Sequence, residues 1–433
     1  MLLFTMCAGM FLVQLDVTVV NVALPTLGTD LHADLAAQQW VVDGYTVVLA
    51  AFLLTGGALG DVFGHRRVVL TGFGLFGAAS AACGLAATAP VLVAARAGQG
   101  LGAALLLPGT LAVITNAYPG RAERARALGV WAGVSALALA AGPVLGGAVV
   151  TAAGWRPVFW LNVPLVLAAA FATWRLVPRG TRAPGRRVDV AGVVTAAPAL
   201  GAGVYAVIGG SVVAAGVAVV ALAVFVAVER RAPDPMLPLD VVGRTLSANF
   251  VSAAMNFAGI GAILLLTLYL QGVRHASPLA AGLEVLPLFG PLSVLAPVAG
   301  RLTGRFGPRP LMVAGLALGV LGMLNLVLLK ENSGYAALLP TLLGLGVGMG
   351  LLTTAVVTAA VSGLPSERAG VASGVNNTAR QAGGALGVAV LGAVAGAPGP
   401  GFVPGLHAAA AIAAALWLTA IGVTLARVRT PCR

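Results

Sequence analysis

The stretch Gly57-Ala58-Leu59-Gly60-Asp61-Val62-Phe63-Gly64-His65-Arg66-Arg67 recurs as Gly300-Arg301-Leu302-Thr303-Gly304-Arg305-Phe306-Gly307-Pro308-Arg309-Pro310, at an offset of 243 residues. Each copy follows a long apolar block and precedes another. Glycines bracket a short basic turn, as a tight connection between two helices requires. The same offset carries the apolar block at 2–25 onto the one at 248–271, so the chain reads as one half repeated.

The blocks themselves decide the class. With 59% hydrophobic and 9% charged residues, and a mean hydropathy of +0.99, the chain is far from a soluble domain, in which about a quarter of residues are charged. Apolar runs at 2–25, 40–60, 68–88, 91–115, 127–150, 157–177, 190–209, 211–228, 248–271, 279–300, 311–329, 335–360, 371–395 and 405–426 can each cross a bilayer as a helix rising ~1.5 Å per residue. The alternating pattern of a membrane barrel is absent, so the expected fold is an all-α integral membrane protein of fourteen transmembrane helices. The first run has neither a basic leader nor a small-residue cleavage site and is expected to stay as a span.

The repeat groups these spans as two six-helix bundles plus two inserted helices. The expected domains are 1–177, 178–247 and 248–433. The middle one holds a pair joined at Gly209-Gly210-Ser211, between the polar stretches Pro178 to Asp189 and Glu229 to Ser247. Parallel repeats of six spans are the plan of transporters that rock two bundles about a substrate site near the midplane.

Charge fixes the orientation. Of the 25 basic residues, all but Arg96, Arg156, Arg274, Lys330 and Arg380 fall in the loops and span ends that share a side with the two termini. By the positive-inside rule both termini are cytoplasmic, in a cytoplasmic (inner) membrane. The net charge of +12 is thereby explained without nucleic acid. Cys7, Cys83 and Cys432 are too scattered for a disulfide framework or a metal site. Lys330, the single lysine, lies in Leu329-Lys330-Glu331-Asn332, so no phosphate-binding Gly-Lys-Ser/Thr loop exists. His32, His65, His275 and His407 lie in or near loops and form no protease pattern. No cofactor, nucleotide site or enzyme activity is expected. Energy must come from a gradient, and one proton crossing 100 mV supplies about 2.3 kcal/mol.

Charges inside spans are the functional candidates, because each costs about 2.5 to 3.5 kcal/mol at the bilayer centre on insertion scales. Asp16, in Leu15-Asp16-Val17-Thr18-Val19-Val20-Asn21-Val22-Ala23-Leu24-Pro25, is the deepest. Arg96, in Leu92-Val93-Ala94-Ala95-Arg96-Ala97-Gly98-Gln99-Gly100, is its expected partner, and proton coupling and a structural ion pair are both open readings. Separating a buried carboxylate from an arginine would toggle its proton. Asp43 and Glu284 lie near the ends of the second and tenth spans, where coupling and an entrance or capping role are both open.

Polar stripes complete the inventory. Gln14, Thr18, Asn21 and Pro25 share one side of the first span, with Asp16 about 160 to 200° away. Asn249, Ser252 and Asn256 line one side of the ninth span, and Asn376, Arg380 and Gly387 one side of the thirteenth; they either line a cavity or join helices. In the repeated loop, Gly57, Asp61, Gly64, Arg66 and Arg67 form a candidate gate whose charges meet in one conformation and part in another, with a plain basic turn as the alternative. In the fifth span, Gly129, Gly133, Ala136, Ala140, Pro143 and Gly147 form one small-residue stripe and Ala138, Gly142 and Gly146 another. Close packing on two sides is expected, with a hydrogen-bond ladder loosened near Pro143.

These residues together resemble the major facilitator superfamily and, within it, the fourteen-span drug:proton antiporter family. The resemblance rests on Leu15-Asp16-Val17-Thr18 through Pro25, the Gly57 to Arg67 loop, Arg96 with Gly100, Gly142-Pro143 with Gly146-Gly147, Trp155-Arg156-Pro157 with Asn162-Val163-Pro164, and the Gly370 to Gly387 stretch. The chain departs from the family pattern at Val62 and His65, where basic residues are usual, and at Ala138, where the antiporter motif has glycine. The resemblance implies a major facilitator fold and a proton-coupled antiporter that exports drugs or antibiotics. Its partners would be protons, a small amphipathic substrate and membrane lipid, with no nucleic acid and a monomer as the working unit. Asn21, Asn256, Asn376 and Arg380 would line the substrate cavity. The rival readings are an exporter of one endogenous metabolite and a membrane sensor that transports nothing; the sensor would have no need of Asp16 and Arg96 at mid-membrane.

Overall fold

The computed structural model describes residues 1–118, 120–178, 189–233, 235, 237–362 and 369–428, with side chains at all of these except 121, 122, 124, 125, 136, 193, 369 and 370. The expected linker between Pro178 and Asp189 falls largely outside them, as do Arg368, Arg429, Cys432 and Arg433. Among the described residues the chain is helical, with no strand, and divides into two compact units, Met1–Leu237 and Pro238–Arg433.

The first unit comprises α1 (Leu2–Asp30), α2 (Leu35–Phe63), α3 (His65–Gly84), α4 (Ala89–Ala117), α5 (Arg121–Ala153), α6 (Arg156–Trp160), α7 (Asn162–Leu176), α8 (Val190–Ile208) and α9 (Val212–Arg231). The second comprises α10 (Leu239–Leu268), α11 (Pro278–Glu284), α12 (Leu286–Phe306), α13 (Pro308–Leu326), α14 (Leu339–Val361), α15 (Ala369–Ala395) and α16 (Phe402–Arg427). Long apolar runs become helices because a bilayer offers backbone N–H and C=O groups no other partner. Side chains mark where they start: the Ala37 N–H donates to Asp34 at 2.8 Å to open α2, and the Ala214 N–H to Ser211 at 3.2 Å to open α9. Prolines mark where they break. Pro164 cannot donate to the carbonyl of Trp160, which separates α6 from α7, and Pro287 cannot donate to Leu283, which separates α11 from α12.

Both units are built on one packing plan. α1 packs on α5, α4 on both α2 and α3, and α3 on α7; correspondingly, α10 packs on α15, α14 on both α12 and α13, and α13 on α16. The repeated turn is also the same. Gly64, at φ 91°, joins α2 to α3, and Gly307, at φ 79°, joins α12 to α13. This left-handed backbone is natural for glycine and costs other residues roughly 1–2 kcal/mol. Two residues on in each unit, Arg66 donates to the carbonyl of Trp174 in α7, and Arg309 to that of Leu425 in α16 at 2.8 Å.

The α8–α9 hairpin joins the first unit through α2, where the rings of Trp40 and Tyr205 lie 6.3 Å apart. Val194, Val213, Val217 and Leu222 are exposed along it, a surface suited to lipid. Helix α10 begins at Leu239, ahead of the expected boundary at 248, because Asp240 to Ser247 continue the helix instead of forming a linker. Among the described residues, thirteen helices are long and apolar enough to cross a membrane. The expected span at 371–395 is not among them: α15 has the length, but Asn376, Asn377, Arg380 and Gln381 lower its hydropathy. Helix α15 nevertheless packs along α10 as α5 packs along α1.

Candidate functional site

Asp16 is the central residue of α1, about 21 Å from either end at ~1.5 Å per residue. Only 2% exposed, it forms an ion pair with Arg96 of α4, itself 1% exposed. Gln99 Nε2 and Asn162 Nδ2 each donate to Asp16 Oδ1 at 3.1 Å. Arg96 Nε donates to the Val41 carbonyl at 3.0 Å, and Nη1 also reaches Gln99 Oε1 at 2.8 Å. The guanidinium lies over the Tyr45 ring, 4.5 Å from its centroid. Behind this layer, Gln99 Nε2 donates to Ser80 Oγ at 2.8 Å, and Cys83 Sγ to Gln99 Oε1 at 3.2 Å.

Close helix approach makes the cluster possible. A Cβ at Gly100 would collide with the Tyr45 carbonyl, so α4 lies directly on α2 with Arg96 one turn away. Asn162 opens α7 just past the proline-induced break, which turns its amide toward Asp16. An ion pair this deep persists only where the remaining polar atoms are matched, and here they are. Every hydrogen-bonding neighbour of the Asp16 carboxylate is a donor. A proton on Asp16 would therefore have to displace one of them, and Arg96 Nη1 is the group that holds Oδ2.

The expected pair is thus brought together, while Tyr45, Ser80, Gln99 and Asn162 join it without having been singled out. Gln99 lies one turn from Arg96, and Asn162 heads a motif noted above, so both carried a signal. Ser80 carried none.

The small-residue helix seats beside this cluster. A Cβ at Gly142 would strike Thr18 Oγ1, and one at Gly146 would stand 3.1 Å from the Val19 carbonyl. Ala138 is fully buried, and Gly147 and Pro143 are also buried. By contrast, Cβ atoms at Gly129 and Gly133 would meet nothing within 4 Å. The Ala138, Gly142 and Gly146 stripe therefore packs closely, against α1 at Gly142 and Gly146, whereas the other stripe is buried at Pro143 and Gly147 but open at Gly129 and Gly133. Helix α5 also runs through Pro143 as one continuous helix.

The other candidates stand apart from Asp16. Asp43 is fully buried on α2; Thr46 Oγ1 donates to its Oδ1 at 3.2 Å, and Oδ2 has no hydrogen-bond partner among the described residues. Asn21 Nδ2 donates to the Val17 carbonyl at 2.7 Å, and its Oδ1 has no partner among the described residues. Glu284, at the end of α11, binds Arg274 at 2.9 Å with the side chains 23% and 22% exposed. In the candidate gate, Asp61 pairs with His65 at 3.3 Å, while Arg66 is engaged by Trp174. Trp155 and Arg156 both donate to Asp30 Oδ2, at 2.9 and 2.6 Å, tying the end of α1 to the α5–α6 connection.

The second unit holds its own polar layer. Asn376 Nδ2 donates to Asn249 Oδ1 at 3.1 Å, Asn249 Nδ2 to Thr245 Oγ1 at 2.8 Å, and Ser252 Oγ to Asn376 Oδ1 at 3.3 Å. Arg380 Nη2 donates to Asn377 Oδ1 at 2.6 Å, and its Nε has no partner among the described residues. Asn256 is 8% exposed.

Two helical units on one packing plan, each with polar side chains locked inside membrane-length helices, define a duplicated multi-pass membrane protein. Residues 6–388 match the Major Facilitator Superfamily, and the chain belongs to that family. It is 38% identical over 358 residues to the multidrug resistance protein Stp of Mycobacterium tuberculosis, and 38% identical over 364 residues to the tetracenomycin C resistance and export protein of Streptomyces glaucescens. Each match covers 80% of this chain but only 66% of the relative's length. The methylenomycin A resistance protein of Bacillus subtilis is 35% identical over 347 residues, covering 77% of this chain and 74% of that protein. The fold is shared with a solved D-xylose-proton symporter at 14% identity and a TM-score of 0.73, covering 99% of this chain and 97% of the other. An auto-inhibited POT family peptide transporter is comparable, with 16% identity, a TM-score of 0.74 and coverage of 100% and 98%.

Proposed function

We propose that the protein is a proton-coupled antiporter that exports amphipathic drugs or antibiotics across the cytoplasmic membrane by alternating access. The observation that carries this reading is the buried Asp16–Arg96 pair, a titratable charge at the centre of a span with its counter-ion held by separate partners. The resistance roles in the relatives' names favour drugs and antibiotics over a single endogenous metabolite.

A proton reaching Asp16 releases Arg96 Nη1, which keeps Gln99, Val41 and the Tyr45 ring as partners. Helix α1 is then free to shift against α4 and α5, and loss of the proton re-forms the pair. One proton moving through 100 mV biases such a two-state equilibrium by one to two orders of magnitude, about 2.3 kcal/mol. Asp43 serves as a second proton carrier, and Glu284 with Arg274 as a latch at the end of α11. Asp61, Arg66 and Arg67 form the gate near the cytoplasmic ends of the helices, with both termini on that side. Asn21, Asn256, Asn376 and Arg380 contact substrate. The protein is a transporter and not a catalyst, needs no cofactor, and works as a monomer in the inner membrane with its fourteenth span supplied by α15.

Everted vesicles should accumulate amphipathic antibiotics when a proton gradient is imposed and release them when a protonophore is added. Export by Asp16→Asn at the wild-type rate against a concentration gradient would sink the coupling role of Asp16.

A further inference from the structure

We infer that Arg380 is an anion-recognition point in the second unit, so that the exported substrate bears a carboxylate or a comparable anionic group. The inference deepens the transport reading above and rests on it.

Arg380 lies on α15 about 16 Å from the start of the helix at ~1.5 Å per residue. Its stripe includes Asn376, Asn377, Gly383, Gly384 and Gly387. A Cβ at Gly383 or Gly387 would collide with the backbone of Ala253 or Phe257, and one at Gly384 would lie 3.9 Å from Asn256 Cβ. That stripe therefore faces α10 and not lipid.

The two guanidiniums inside spans are treated differently. Arg96 is answered by the Asp16 carboxylate, whereas among the described residues Arg380 has no carboxylate within salt-bridge distance. Its partner is the neutral Asn377, and its Nε is buried without one among the described residues. A guanidinium cannot shed its charge, and an unpaired buried charge is costly. An arriving anion removes that cost. Arginine presents a planar fork that matches a carboxylate, and the residue is only partly buried, so the fork is reachable. Nearby on α10, Asn256 makes no hydrogen bond among the described residues and offers a further donor. Lipophilic cations would meet an uncompensated positive charge there.

The test is binding to the full chain in nanodiscs of zwitterionic lipid, without a gradient, using 1-pyrenebutyrate, its methyl ester and tetraphenylphosphonium. The acid should bind about tenfold to a hundredfold more tightly than the ester, the range of a charge-assisted hydrogen bond. Arg380→Gln should abolish that preference and Arg380→Lys should keep part of it. The unliganded Arg380→Gln protein should be at least as heat-stable as wild type, since it has lost an unpaired charge. Absent acid binding, equal binding of acid and ester, preference for the cation, a marked loss of stability in Arg380→Gln, or a variant that keeps the preference would each overturn the inference. Proton coupling is read separately in vesicles: a protein that selects acids but transports without a proton gradient upholds the anion site and refutes the antiporter.

Discussion

Arg96 meets Asp16, Gln99 and Val41 at once, and its plane covers Tyr45. Lysine would keep the charge but lose the Nε contact and the planar fork, so Arg96→Lys is expected to lower gradient-driven export at least tenfold in vesicles. Asp16→Asn leaves Arg96 as an uncompensated buried charge and should cost about 3–5 kcal/mol of stability, measured by unfolding in detergent. The double variant Asp16→Asn with Arg96→Gln removes both charges and should regain most of that stability. Its export should remain at background. Recovery of export along with stability would show that the pair only holds helices together.

Packing makes its own demands at the scale of the helix. Because Gly142 of α5 lies against Thr18, Gly142→Val forces α1 and α5 apart two residues from Asp16 and should reduce both stability and export. Gly129→Ala on the same helix meets open space and should stay within about 0.5 kcal/mol of wild type. The duplicated turns supply a matched pair. Gly64→Ala and Gly307→Ala each place a Cβ on a left-handed backbone and should each cost roughly 1–2 kcal/mol. A large cost at one and none at the other would show that the two turns, alike in geometry, are held by different forces.

Orientation is a property of the whole molecule, and the chain carries a convenient marker for it. Lys330 is its single lysine and is exposed, and the positive-inside rule predicts that it faces away from the cytoplasm. A membrane-impermeant amine reagent applied to intact cells should label Lys330. Applied to everted vesicles, it should leave Lys330 unmodified. The reverse pattern would invert the topology and with it the direction of transport. The duplication belongs to this scale too: the same helix pairs pack in both units, yet only the first carries a carboxylate at the centre of its first helix, since Gly259 stands at the position of Asp16 in the second. The two proposed roles, proton coupling at Asp16 and anion recognition at Arg380, thus fall in different halves of a repeated plan.

The sequence by itself determined the class, the duplication and the residues that had to be explained. Those conclusions follow from single-chain arithmetic: a bilayer demands long apolar runs, and a charge within one is conspicuous because it is costly. Asp16, Arg96 and Arg380 are found that way. Gln99 and Asn162 were decided only by the tertiary structure, which brings them to Asp16 from 83 and 146 residues away. The structure also decided which stripe of α5 meets α1, that Asp61 pairs with His65, and that Arg96 has a carboxylate where Arg380 has none among the described residues. Helical periodicity places residues on a face of their own helix, but a hydrogen bond between helices depends on a second helix whose distance and rotation are set by packing, and no local pattern encodes those.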